Sequence, residues 1–299
     1  MNRFIWLVRR EIWENKAIWV APALLLACLL LLIATGNVHL GPIGAMGPSM
    51  GLDALPAEKQ VKVLLVVYVG LALVVFMVMG IVAFFYALDS LYADRRDRSV
   101  LFWKSLPLSD AETVLSKFAV AIVVIPLVAL VGAVLAQLMV AGGGSAMLAM
   151  AGTPGGIMWQ PEALLGGMTA AALACVTAML WYAPLVAYLM LASAWAPKGP
   201  FLWAVLPPVA LSVLERVVLG SGHVGGFVTD RINGPIRMLE SGIEEGVDGA
   251  SETIRLSDID LASGLTDFYT SPELWLGVVA AGLLLAGAMW VRRYRDETS

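Results

Sequence analysis

The sequence predicts an all-α integral membrane protein, and three observations carry that prediction. First, of 299 residues 60% are hydrophobic and only 14% charged, where a soluble domain carries about 25%. Second, mean hydropathy is +0.83, because the apolar residues gather in six runs of roughly 20, enough to cross a ~30 Å hydrocarbon core. Third, Lys and Arg fall between those runs and are sorted by side. The expected architecture is one transmembrane domain, 1–299, with six helices at 17–35, 61–88, 118–140, 164–194, 201–219 and 273–291. An interfacial helix precedes them at 1–16, a cytoplasmic hairpin occupies 89–117, and a small extracytoplasmic segment lies at 220–272 before the last helix.

Residues 1–16 mix Arg3, Arg9, Arg10, Glu11 and Glu14 with Phe4, Trp6, Ile12 and Trp13. Ile5, Val8 and Ile12 recur at helical spacing. This fits a short helix in the headgroup region, or an ordinary basic lead-in to the first span. The run 17–35 is longer than a signal-peptide core and no small-x-small cleavage site follows, so it is expected to remain as span one. Residues 37–60 hold Gly41, Pro42, Gly44, Gly47, Pro48, Gly51 and Pro56 and read as a loop.

Span two exceeds what a bilayer requires, leaving room for tilt or a helical extension beyond it. Span three contains Pro126 and Gln137. Residues 141–162, Gly-rich and without a basic residue, read as a connection. In span four, Pro184 is expected to kink or divide the helix. Pro197-Lys198-Gly199-Pro200 makes a tight turn into span five. The segment 220–272 is acidic, and Ile232, Ile236, Leu239, Ile243 and Val247 recur every three or four residues. That spacing predicts an amphipathic helix, either a cap over the outer mouth or a connector resting on the membrane surface.

Orientation follows from the loops, since cytoplasmic segments carry the excess of Lys and Arg. Alternating sides places thirteen of the nineteen basic residues on one side, twelve with the two termini and the hairpin and the thirteenth at Lys198. Both termini and the hairpin are therefore expected in the cytoplasm. Nucleic-acid binding by the basic hairpin is the less economical account.

No nucleotide-binding, zinc-protease or serine-hydrolase motif occurs in the sequence, so no catalytic residue is assigned. Cys28 and Cys175 lie inside apolar runs, and His39 and His223 fall in different loops without ligand spacing, so no metal is expected. The polar or amphipathic candidates for a substrate path are Gln137, Thr177, Trp181, Tyr182 and Glu215. Packing, or snorkelling to the interface for Glu215 and Arg216, is the plainer reading of each.

The hairpin is the informative stretch. Asp94, Arg95, Arg96, Asp97 and Arg98 form a mixed-sign run followed by Val100, Leu101, Phe102 and Trp103. Lys104-Ser105-Leu106-Pro107 then breaks the helix, and Ser109 with Glu112 fits a capping box that opens the next one. An apolar tip exposed to water marks a partner surface. Alternatively, the arginines only enforce topology and the aromatics sit in the interface.

This pattern resembles the cytoplasmic loop of ABC-2-type permeases, the membrane subunits of a class of ABC exporters. The resemblance rests on Asp94-Arg95, Ser99, Leu101, Leu106-Pro107, Ser109, Glu112, Leu115 and Lys117 in that order. It departs from the family in having Asp94 where Glu is usual and a longer basic run. It extends to the amphipathic N-terminus and the six-span layout. The resemblance implies a permease domain whose loop is the coupling helix for a separate ATPase. Asp94, Arg95, Arg98, Leu101, Phe102, Trp103, Lys104, Pro107 and Glu112 would then form the coupling site. It further implies two ATPase copies holding ATP and Mg, no cofactor in this chain, a second permease copy or paralogue, contact with lipid, and no nucleic acid. The expected setting is the bacterial cytoplasmic membrane and the expected task ATP-driven export of apolar or amphipathic cargo. The rival readings are a non-transporting sensor or scaffold whose acidic outer segment binds a ligand, and a secondary transporter, disfavoured because no charge sits clearly mid-span.

Overall fold

The computed structural model describes residues 3–35, 56–97, 109–150, 152, 154–244 and 268–294, with side chains for all but 235–244. Among these residues the regular structure is helical throughout. The order is α1 (Arg3–Glu14), α2 (Ala17–Ala34), α3 (Ala57–Arg96), α4 (Asp110–Ala119), a π segment (Val120–Val124), α5 (Ile125–Met150), a 3₁₀ turn (Gly155–Trp159), α6 (Pro161–Trp181), α7 (Ala183–Trp195), α8 (Pro200–Val218), α9 (His223–Glu244) and α10 (Pro272–Tyr294). Among the described residues six stretches are long and apolar enough to cross a membrane: Ala17–Ala34, Ala57–Arg96, Asp110–Met150, Gly155–Trp181, Pro200–Val218 and Pro272–Tyr294. The chain is an integral, multi-pass membrane protein.

The chain divides into two units. One comprises Lys16–Val82 and Ile125–Val176. Its interior combines small residues of α5, with Ala129, Ala133, Ala136 and Ala141 buried, and large ones such as Ile18, Leu64, Tyr68 and Met79, while Leu31, Met77 and Leu135 face outward. The outward apolar side chains suit helices surrounded by lipid, and the small residues of α5 permit close backbone approach. Here residues 141–162 depart from the expected connection: α5 continues helically to Met150 before the 3₁₀ turn. The glycines serve packing. A Cβ on Gly143 would overlap Ile33 of α2, and one on Gly144 would press into Met158 of the turn. Gly-rich composition signals a loop only when nothing packs against the backbone. Tyr68 of α3 donates its hydroxyl to the Met158 carbonyl at 2.5 Å.

The other unit comprises Met1–Asn15, Ala83–Val124 and Thr177–Ser299. In it α7 packs along α10, and α1 lies on α4. The expected break near Pro184 is present: the fourth apolar run parts at Tyr182 into α6 and α7, with Pro184 in the first turn of α7, where its missing N–H leaves no orphan. The predicted Pro-Lys-Gly-Pro turn is also present, with Gly199 at φ 60°, a left-handed conformation that glycine adopts at least cost. The π segment sits just before Pro126. Proline offers no N–H and its ring crowds the carbonyl four residues back, and a wider turn at that point accommodates both.

The N-terminal helix is present and buries Leu7 and Glu11, which lie off the Ile5, Val8 and Ile12 stripe. Ile5, Trp6 and Trp13 point outward. The Arg9 guanidinium lies 5.4 Å from the Trp6 ring and 5.9 Å from Trp13. Two indoles and an arginine on one outward face suit a headgroup layer, apolar below and wet above.

Candidate functional site

Four segments far apart in sequence converge on one buried ion network. Capping starts it. Ser109 Oγ accepts the Glu112 N–H at 3.1 Å, and Glu112 Oε2 accepts the Ser109 N–H at 2.9 Å. This predicted capping box fixes the start of α4 and so aims Asp110 and Lys117. Lys117 Nζ reaches Glu11 Oε1 of α1 at 2.9 Å and Asp94 Oδ1 of α3 at 3.4 Å. Arg292, in the last turn of α10, pairs through Nη1 with Asp94 Oδ2 at 2.9 Å and through Nε with Asp110 Oδ1 at 3.1 Å. Tyr86 donates its hydroxyl to Glu11 Oε2 at 3.1 Å.

Burial separates this network from ordinary surface pairs. The side chains of Lys117 and Glu11 are 5% exposed, Arg292 7% and Asp94 8%, whereas Glu58 in the Glu58–Lys62 pair is 79% exposed. Exposed pairs are worth about 0–1 kcal/mol. Removing one partner from a buried pair costs about 3–5 kcal/mol, because it strands a desolvated charge.

A second set of contacts fastens α3 to α7 beside the network. The Leu91 and Tyr92 N–H groups both donate to Ser193 Oγ, at 3.1 and 2.9 Å. Arg95 Nη2 donates to the Ser193 and Ala196 carbonyls, at 2.6 and 2.8 Å. The end of α7 presents carbonyls without intrahelical partners and a partial negative charge, so a guanidinium there is doubly favoured.

Of the residues proposed for the coupling site, Asp94 is therefore an interior member of the ion network and Arg95 a cap on α7. Glu112 closes the capping box. Arg98, Leu101, Phe102, Trp103, Lys104 and Pro107 lie outside the described residues. The network draws in Glu11, Tyr86, Asp110, Lys117 and Arg292, none of them in the expected coupling site, Lys117 having counted only toward the family resemblance. One clue existed: Leu7 and Glu11, four apart, share a face of α1.

The substrate-path candidates are distributed. Gln137 is fully buried in its unit, and its Nε2 donates to the Tyr68 carbonyl at 3.1 Å. Thr177 and Tyr269 share a hydroxyl hydrogen bond at 2.9 Å. Trp181 Nε1 donates to the Arg231 carbonyl at 2.7 Å, and Tyr182 Oη to the Ile232 carbonyl at 3.2 Å. Glu215 accepts from Ser221 Oγ and the His223 N–H, both at 2.8 Å, and from the Val224 N–H at 2.7 Å. It thus satisfies the first N–H groups of α9, where a carboxylate is favoured by the helix dipole.

Residues 61–152 match a family model described as ABC-2 family transporter protein. No curated protein and no solved structure matches the chain. The matched stretch takes in spans two and three with the hairpin between them, and so Tyr86, Asp94, Asp110 and Lys117 of the ion network.

Proposed function

We propose that this chain, an ABC-2-type permease by its similarity over residues 61–152, is the membrane-spanning subunit of an ATP-driven exporter. A separate ATPase, in two copies, docks on the hairpin tip at 98–107, and a second permease copy or paralogue completes the pathway. The cargo is apolar or amphipathic. The observation that carries this reading is the double grip of Arg292 on Asp94 and Asp110, at 2.9 and 3.1 Å. Those two residues stand on either side of the tip, so a push delivered to it meets both stems tied to the end of α10. Through Lys117 the same push reaches α1. Hydrolysis can drive transport only when nucleotide state distinguishes two conformations of the permease, and a braced lever of this kind is one means of doing so.

The network also collects α1, the end of α3, the start of α4 and the end of α10 at one place. These are the segments that the distribution of Lys and Arg assigns to the cytoplasm. This supports both termini and the hairpin facing inward across a bacterial inner membrane.

The test is a tagged purification from native membranes in mild detergent, with bound proteins identified by mass. A near-stoichiometric ATPase with nucleotide-binding motifs is expected. Recovery of the chain alone, or with a signalling protein, would overturn the exporter reading in favour of a membrane sensor.

A further inference from the structure

We propose that Arg231 is the anchor of an anion-binding site, at the far end of its unit from the ion network, which takes the phosphate or carboxylate headgroup of an amphipathic molecule. Arg231 lies on α9 and is 6% exposed. Its Nη1 donates to the Glu273 carbonyl of α10 at 3.2 Å, and its guanidinium stacks 4.2 Å from the Trp181 ring. Its Nε and Nη2 are buried and meet no acceptor. Those two atoms are one edge of the guanidinium, the fork that grips a carboxylate or phosphate through two parallel hydrogen bonds. Desolvated donors left unpaired are costly, so a fold that keeps two of them on a permanent cation favours any state in which an oxyanion reaches that edge. Burial lowers the Arg231 pKa against an opposing pull from Glu273, yet a guanidinium remains charged throughout the physiological range.

The surroundings are built around this side chain. Gly277 of α10 has no Cβ, and any Cβ there would overlap the guanidinium. A Cβ on Gly234 would likewise overlap the Trp181 ring, against which Phe268 packs at 5.0 Å. On the same two helices Phe227 of α9 and Trp275 and Leu276 of α10, near Arg231 and Gly277 in sequence, are exposed, apolar surface suited to an alkyl chain rather than to a free ion. The assignment of this ligand as cargo rests on the exporter reading; the site itself does not.

The experiment uses the full-length protein in phosphatidylcholine nanodiscs, titrated with dodecyl phosphate. Saturable binding is expected, weakened at least tenfold in Arg231→Met. Equal affinity in wild type and variant would overturn the site, and inorganic phosphate binding as tightly as dodecyl phosphate would overturn the amphipathic ligand. Photoreactive dodecyl phosphate on the wild-type protein covers the case of a variant that does not fold. Adducts are expected within 227–234 or 272–281, and adducts confined to other segments would overturn the proposal. Nanodiscs containing phosphatidylglycerol separate the sources: competition assigns the site to a bilayer lipid, and its absence to a transported molecule, both with the headgroup on Arg231. ATPase co-purification is scored on the same preparations. Wild type that binds dodecyl phosphate but no ATPase would sink the exporter reading and leave the anion site standing.

Discussion

Arg292 and Asp94 are 198 positions apart in the chain, yet they form a buried ion pair of 2.9 Å. Asp94 ends the second apolar helix and Arg292 the last, so this one contact fixes where two spans finish relative to each other. Because the same guanidinium also holds Asp110, the pair brackets the hairpin that the proposed ATPase would address.

The pair should show strong energetic coupling. In a double-mutant cycle of Asp94→Asn and Arg292→Met, the two single variants should each lose about 3–5 kcal/mol. The double variant should lose less than their sum by more than about 1 kcal/mol. Additive losses in detergent unfolding titrations would show that the contact is incidental.

Lys117 sits between two carboxylates, Glu11 and Asp94. Lys117→Met leaves Glu11 without its cation and Asp94 with Arg292 as its remaining partner in the network, and should lower stability by about 3–5 kcal/mol. Lys62→Met, which removes a pair whose acid is mostly exposed, should change it by less than about 1 kcal/mol. Thermal unfolding of the two variants side by side provides the comparison.

Arg95 and Arg98 should behave differently. Arg95→Glu removes the donor to two α7 carbonyls and should destabilise by about 1–3 kcal/mol, with ATPase binding falling as a consequence. Arg98→Glu or Phe102→Asp should reduce co-purified ATPase while leaving the unfolding midpoint in place. Wild-type ATPase recovery in both of the latter variants would move the docking surface elsewhere.

Glu215→Ala should loosen α9 alone. Losing acceptors for the His223 and Val224 N–H groups costs about 0.5–2 kcal/mol, as for other N-terminal caps. Hydrogen exchange should accelerate across 223–234 and remain unchanged in α10. Uniform acceleration across both helices would mean that Glu215 supports more than the start of α9.

Much of the fold was legible because a bilayer imposes one length on every span. The six runs, the break near Pro184, the turn at Gly199 and the Ser109–Glu112 box each follow from local chemistry. The Gly142-Gly143-Gly144 stretch misled because glycine is read as a breaker until a partner such as Ile33 is known to press against it. The ion network was hidden for a related reason. Lys117 and Arg292 look like topology signals when seen alone, and Glu11 like the polar side of an interfacial helix. Pairing residues about 100 to 200 positions apart needs the tertiary contacts that a single sequence does not state. Asp94 was visible, but as half of a motif and not as the acid between Lys117 and Arg292.

The outward face of α1 gives the ion network an unusual neighbour. Trp6, Arg9 and Trp13 share the outward face, while Glu11 on the opposite face grips Lys117. Where such a face rests in a headgroup layer, its height follows the lipids, through thickness, headgroup charge and surface pressure. A change in that height would be felt at Glu11 as a pull on Lys117. The membrane would then act mechanically on the ion network, and bilayer composition becomes a variable to control in each of the measurements above.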